Sequence, residues 1–237
     1  MKKLFILLLA PAFVCAQKNV ISVDRITPKA DKIMEFEKAV SNHIQKYHTG
    51  NWKMHVFEVQ TGQYAGAYDL IEGPNTWDDI DGRKDLSKEH TEDWMKNIAP
   101  LTSDRTFAAF GVYKPELSSG SPQDSATKIY LTHITAKPGK VTKVTDMIKT
   151  MKTMWDKDNQ SVGVYQMMLS GEPGFTIAYR LKDGLKEMAD GYRKPLPERF
   201  NAANGDGSFD KFLTDFADAV QSRWDEYVIL RADLSSK

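Results

Sequence analysis

This chain carries one sequence pattern twice, and that repetition restricts its fold more than any single motif does. The second copy reads Ala136-Lys137-Pro138-Gly139-Lys140, then an amphipathic segment, then Phe175-Thr176-Ile177-Ala178-Tyr179-Arg180-Leu181. About 110 positions earlier stand Pro28-Lys29-Ala30-Asp31-Lys32, a similar amphipathic segment, and Tyr64-Ala65-Gly66-Ala67-Tyr68-Asp69-Leu70. Ile26-Thr27 matches Ile134-Thr135, Gly62 matches Gly171, and Ala67-Tyr68 matches Ala178-Tyr179. The copies also end alike, in Glu116-Leu117-Ser118-Ser119 and Asp233-Leu234-Ser235-Ser236. Matches in the same order with little drift in spacing predict an internal duplication.

Each copy reads β-α-β-β-α-β. In the first, strands are predicted over residues 21–27, 52–59, 64–71 and 106–113, with Gly73-Pro74-Asn75 breaking the chain. Ile33, Phe36, Val40, His43 and Tyr47 recur at helical spacing over residues 30–47. The charged stretch 77–93 predicts short solvated helical turns. In the second copy, strands are expected over 128–135, 162–169, 175–181 and 227–232. Val141, Val144, Ile148, Met151 and Trp155 mark one helix. Phe209, Phe212, Phe216, Val220 and Trp224 mark another, capped by Ser208, and residues 191–207 read as an irregular insertion. The expected organisation is a leader at 1–16, a repeat at 20–117, a linker at 118–127 and a second repeat at 128–236.

The β-α-β-β-α-β order is the ferredoxin-like arrangement, two helices on one face of an antiparallel sheet. A lone domain of this kind wets the other face and alternates apolar with polar residues. Here Val162 and Val164 lie on one face of their strand while Tyr165 and Met167 lie on the other. Both faces are therefore expected to be buried, one under helices and the other against a second sheet. The predicted fold class is α+β: two tandem ferredoxin-like repeats packed sheet to sheet as an intramolecular dimeric α/β-barrel.

The first strand running into Lys137-Pro138-Gly139-Lys140, the amphipathic helix, the Gly163-Val164-Tyr165-Gln166 strand and its hairpin partner resemble the dimeric α+β barrel superfamily. That superfamily includes antibiotic-biosynthesis monooxygenase-like, stress-responsive and NIPSNAP-like domains. The resemblance implies two units packed into a barrel, here as a monomer with pseudo-dimeric halves or a higher homo-oligomer. It brings no complete catalytic set: where monooxygenase-like domains often carry a tryptophan near the end of the third strand, this chain has Leu70 and Leu181. Some relatives bind haem, for which His43, His55 and His133 are the plausible axial donors.

Met1-Lys2-Lys3, the apolar run 4–14 and Ala16 have the form of a cleaved export signal, leaving Gln17 first and predicting a periplasmic or secreted protein. The run is too short to span a bilayer, so no stable membrane insertion is expected after cleavage. Cys15, the single cysteine, lies inside it. Lysine plus arginine equals aspartate plus glutamate at 32 each, so no basic excess recommends nucleic acid.

The candidate site residues are polar and aromatic groups that the pattern places on strands, on the helix stripe or beside them. His133 shares a strand face with Ile129 and Leu131, and its counterpart in the first copy is Arg25. It reads either as a base or ligand contact or as a histidine hydrogen-bonded at the sheet surface. His55, His43, Tyr68, Tyr179 and Trp52 complete the candidate ligand-binding set, with ordinary core packing as the plain alternative for the aromatics. No residue is assigned as catalytic. No Cys/His or His/carboxylate spacing matches a metal motif; His43 and His48 stand five apart rather than four, and His90 falls in the solvated charged stretch. No metal and no cofactor are therefore expected, with haem as the cofactor alternative. The functional expectation is binding of a small apolar or aromatic molecule, with cofactor-independent oxygenase or isomerase activity as its enzymatic form. A non-catalytic envelope scaffold or assembly protein is the rival.

Overall fold

The computed structural model describes residues 17–84, 86–121 and 124–237. The expected leader lies outside the described residues. The chain order is β1 (Val20–Pro28), α1 (Ile33–Tyr47), β2 (Met54–Val59), β3 (Tyr68–Asn75), α2 (Trp77–Gly82), α3 (Lys88–Asp93) and β4 (Thr102–Tyr113), followed by β5 (Lys128–Ala136), α4 (Val141–Lys157), β6 (Val162–Met168), β7 (Gly174–Arg180), α5 (Leu196–Asn204), α6 (Ser208–Ala219) and β8 (Val220–Leu230).

The eight strands close into an antiparallel barrel in the order β1-β3-β2-β8-β5-β7-β6-β4, with β4 returning to β1. The strand order β4-β1-β3-β2 in the first half is repeated as β8-β5-β7-β6 in the second. The halves join along two seams. Phe57↔Leu230, Glu58↔Ile229 and Val59↔Val228 pair β2 with β8; Phe110↔Met168 through Tyr113↔Tyr165 pair β4 with β6. Sheet-to-sheet packing alone leaves four edges unpaired. Joining the edges instead satisfies their backbone groups and removes the template for aggregation.

Period-two alternation sorts the side chains. Ile26, Met54, Val56, Tyr68 and Leu70 point outward, where Phe36, Val40 and Ile44 of α1 cover them. Val162, Val164, Phe175 and Ile177 point outward beneath Val144, Met147, Ile148 and Trp155 of α4, with Phe200 of α5 alongside. Residues at the alternate positions face the barrel interior.

The repeated Leu-Ser-Ser tails work as reciprocal straps. After β4, Leu117 enters the apolar core of the second half, Ser119 N–H donates to Val162 O, and Ser118 Oγ accepts from Val164 N–H at 2.9 Å. After β8, Leu234 enters the core of the first half, Ser236 N–H donates to Met54 O, and Ser235 Oγ accepts from Val56 N–H at 2.9 Å. Each half thus extends its last strand across the other's second strand.

Several elements differ from the sequence reading. The second strand begins at Met54 because Gly50–Trp52 forms a 3-10 turn, and β3 begins at Tyr68 because residues 63–66 turn. β3 runs through Gly73-Pro74-Asn75 rather than stopping there; Glu72 still pairs with Ser22, Asn75 pairs with Val20, and the register shift between those pairs absorbs the proline. The 191–207 stretch contains α5. Ser208 is not a side-chain cap: Gly207 holds the N-cap position and Ser208 Oγ donates to Asn201 Oδ1. Val220 and Trp224, read as helical, belong to β8, which follows α6 without a loop.

Candidate functional site

Inside the barrel, strand alternation brings Ile21, Val23 and Arg25 of β1 to face Ile129, Leu131 and His133 of β5 across a cavity of about 370 Å³. Phe57, Ile71, Tyr165, Met167, Val228 and Leu230 supply more of its wall, with His55 on β2 and Arg180 on β7 as additional polar groups. This size falls within the range of small-molecule pockets, roughly 300–1,000 Å³.

At one end of the cavity the two predicted counterparts, Arg25 and His133, meet on a single carboxylate. Glu226 of β8 is fully buried; its Oε1 accepts from Arg25 NH2 at 2.6 Å and bonds His133 Nε2 at 2.9 Å, and its Oε2 accepts from Arg25 NH1 at 3.1 Å. On the other side, Arg25 Nε and NH2 donate to the two oxygens of Asp69 at 2.6 and 2.7 Å. One guanidinium therefore bridges β3 of the first half and β8 of the second through bidentate pairs, the geometry a planar fork favours. Trp224 stacks on His133, with ring centroids 3.8 Å apart and planes 14° apart, and Tyr64 lies 4.9 Å from the Arg25 guanidinium. A second hollow of about 300 Å³ opens beyond Arg25 and His133, lined also by Tyr64, Trp224 and Glu172. His133 and Arg25 thus stand between two spaces.

The electrostatics follow from burial and pairing. Burial opposes the charge on Arg25, but the hydrogen bonds and charges of Asp69 and Glu226 outweigh it and hold the guanidinium protonated. Burial also opposes ionisation of Glu226; hydrogen bonds from His133 and Arg25 prevail and lower its pKa. At Asp69 burial is the stronger influence and raises the pKa despite the bond to Arg25. An ionised Glu226 can only accept, so His133 Nε2 carries the proton it shares with that carboxylate. In the neutral ring Nδ1 is then the basic nitrogen, accepting from Thr176 Oγ1–H at 3.0 Å.

The other sequence candidates lie elsewhere. Tyr68 and Tyr179 point outward under the helices: Tyr68 O–H donates to Glu37 at 2.6 Å, and Tyr179 packs edge-on against Trp155. Trp52 sits on its 3-10 turn beneath the Arg83 guanidinium. His43 is buried on α1, with Nδ1 bonded to Asp93 at 2.7 Å, and burial lowers its pKa to about 4 against the pull of that carboxylate. Of the three histidines considered for haem, His133 has both nitrogens engaged and His43 lies in the helix layer. His55 alone lines the cavity with a ring that makes no hydrogen bond among the described residues, and it has no carboxylate or carbonyl partner there to orient it. Of the two that line the cavity, His133 is oriented by Glu226 but spends its other nitrogen on Thr176, and His55 lacks an orienting partner among the described residues, so neither offers haem a free, oriented donor as it stands. Glu226, Asp69 and Trp224, which complete the Arg25–His133 cluster, escaped the sequence reading.

No protein-family model and no curated protein matches the chain. Among solved structures it is similar to an anthrone oxidase-like protein, at 11% identity over 90% of this chain and 92% of that one, with a TM-score of 0.59. It is also similar to a mutant chlorite dismutase of Candidatus Nitrospira defluvii, at 7% identity over 92% and 93% of the two chains, with a TM-score of 0.57. A candidate monooxygenase of Lactobacillus acidophilus NCFM matches at 10% identity over 93% and 97%, with a TM-score of 0.56. At such identities the likeness is one of fold. The chain has the closed α+β barrel fold of the monooxygenase-like and chlorite dismutase-like proteins.

Proposed function

We propose that the barrel interior binds a small aromatic molecule bearing an acidic O–H or C–H, held by the apolar wall and presented to His133. The observation that carries this reading is the cavity of about 370 Å³ ending on a buried Arg25–Glu226–His133 cluster. In the enzymatic form, His133 Nδ1 exchanges its Thr176 hydrogen bond for the substrate proton and accepts it as general base. The bonding pair stays on the substrate as a phenolate or enolate. Glu226 stabilises the imidazolium that forms, and Trp224 holds the ring in plane. Returning the proton to another carbon completes an isomerisation without a cofactor; attack of the carbanion on molecular oxygen begins an oxygenation. The name of the anthrone oxidase-like neighbour suggests a probe of the right class, anthrone itself.

The remaining sequence expectations join this reading as proposals. The two halves descend from a tandem duplication, supported by the reciprocal straps and the repeated strand order. The leader pattern supports export and a mature chain beginning at Gln17, and no helix among the described residues is long and apolar enough to cross a membrane. Filling the cavity tests the binding reading. Leu131→Trp, which puts a large ring into the space while leaving the ion cluster intact, is expected to abolish anthrone binding in a fluorescence titration and to leave the circular dichroism spectrum unchanged. Binding of equal strength in both proteins would place the ligand outside the barrel and leave the interior a scaffold.

A further inference from the structure

Away from the barrel interior, the helix layer of the first half gathers three histidines that stand far apart in sequence. His43 lies on α1, His48 just past its end, and His90 on α3, which Ser87 caps by accepting from His90 N–H at 3.1 Å. Their rings lie 4.7–5.4 Å apart between centroids, and one ligating nitrogen from each falls within 4.8 Å of the other two. Two of the rings are oriented from behind by carboxylates: His43 Nδ1 bonds Asp93 at 2.7 Å, and His48 Nδ1 bonds Glu72 at 2.9 Å. An ionised carboxylate accepts a hydrogen bond from Nδ1–H and so leaves the Nε2 lone pair facing inward, the arrangement that orients metal-binding histidines. His48 Nε2 and His90 Nε2 stand 3.4 Å apart, close to the roughly 3.3–3.4 Å edge of a tetrahedron with zinc–nitrogen bonds of about 2.0–2.1 Å. An independent observation points the same way: His43 Nε2 is buried and has no hydrogen-bond partner among the described residues, in a residue only 1% exposed. Native proteins rarely leave such an atom unsatisfied.

We propose that His43, His48 and His90 bind a Zn²⁺ ion through their Nε2 atoms, pinning α3 to α1 and β3. Three imidazoles, with no carboxylate among the ligating groups, suit zinc rather than magnesium or calcium, which take oxygen ligands. Glu72 and Asp93 place two negative charges behind the ligands, and Arg83, which donates to both oxygens of Glu72 at 2.8 and 3.0 Å, fixes that carboxylate in turn. Three protein ligands leave one tetrahedral position for water or a small anion. The proposal is independent of the barrel reading.

The test uses the full chain, stripped with a chelator, dialysed against micromolar Zn²⁺ and assayed for metal by mass spectrometry. Wild type and His55→Ala are expected to retain one zinc per chain, and His90→Ala none. Glu72→Gln, which keeps all three ligands, is expected to weaken zinc binding about 10–100-fold. Cobalt substitution of the wild type, which needs no variant to fold, is expected to give the intense visible absorption of a tetrahedral site. Zinc retention in wild type no greater than in His90→Ala, or a weak octahedral cobalt spectrum, would overturn the proposal.

Discussion

The two halves of the barrel are most alike at their ends and least alike at their centres. Their tails do the same work: Leu117 and Leu234 each enter the other half's core, and Ser118 and Ser235 each accept a strand N–H at 2.9 Å. At the centre of the first strand the halves diverge, with Arg25 facing His133, and the two side chains do not do the same job. Arg25 is surrounded by carboxylates, whereas His133 is bonded to a single carboxylate and a hydroxyl at the wall of a cavity. The helix layers diverge as well: the first half holds the histidine cluster, and the second half packs Met147, Met151, Met154 and Trp155. Where the two halves agree, the residues build the barrel. Where they differ, buried polar clusters stand in place of apolar packing.

The sharpest way to break the central asymmetry is to remove its cation. Arg25→Met leaves Asp69 and Glu226 buried without their partner, and is expected to cost about 3–5 kcal/mol in urea unfolding. A loss under about 1 kcal/mol would mean that the cluster is hydrated rather than sealed. The likeness of the tails makes the next prediction. Leu117→Ala and Leu234→Ala, both at buried positions, should each cost about 2–5 kcal/mol, and by similar amounts. A large cost on one side only would show that the straps are not equivalent.

A third substitution makes the helix layers more alike. His43→Met removes the buried, unpartnered Nε2 together with the Nδ1 bond to Asp93, opposing effects that in the presence of chelator are expected to leave stability within about 1–2 kcal/mol. A loss well above that would assign His43 a structural role that its hydrogen bonds do not reveal.

The smallest expected effect concerns pH. Arg231, just past β8, bonds Glu37 on α1 and Glu58 on β2, and the Arg231 hydrogen bond lowers the pKa of Glu37 against the opposing effect of burial. The folded chain therefore binds that proton less readily than the unfolded chain. The contribution is fully present above the ordinary glutamate pKa of about 4.3 and is lost as pH falls through the lowered folded value. Thermal melts of wild type and Glu37→Gln should differ modestly at pH 7, and the gap should narrow at pH 3. A gap that widens in acid would reverse the assigned direction.

How far the sequence revealed this architecture depended on local signals. The repeat and the two-sided apolar strands exposed the α+β barrel because both periodicities survive in single residues such as Val162, Val164, Tyr165 and Met167. Helix α5 was signalled by Pro195 at its cap and Gly205 after its end, where a φ of +99° favours glycine, but the prolines and glycines were read as irregularity. Trp224 was missed because α6 passes directly into β8. No turn residue separates Ala219 from Val220, so the helical stripe continues unbroken in the sequence into the strand. Glu226 and Asp69 carried no signal of their own, since a buried carboxylate is recognisable only once its arginine is beside it. The same is true of His48 and His90, which lie 42 positions apart and come together only when α3 folds over the end of α1.

The most direct test of the account is a calorimetric titration of anthrone into wild type and His133→Ala, with thermal melts of both. Removing one imidazole should leave stability within about 1–2 kcal/mol and weaken binding by about 1 kcal/mol or more, the worth of a buried hydrogen bond to the ligand. Unchanged affinity, or severe unfolding with intrinsic affinity preserved, would contradict the account and make His133 a structural residue of the barrel.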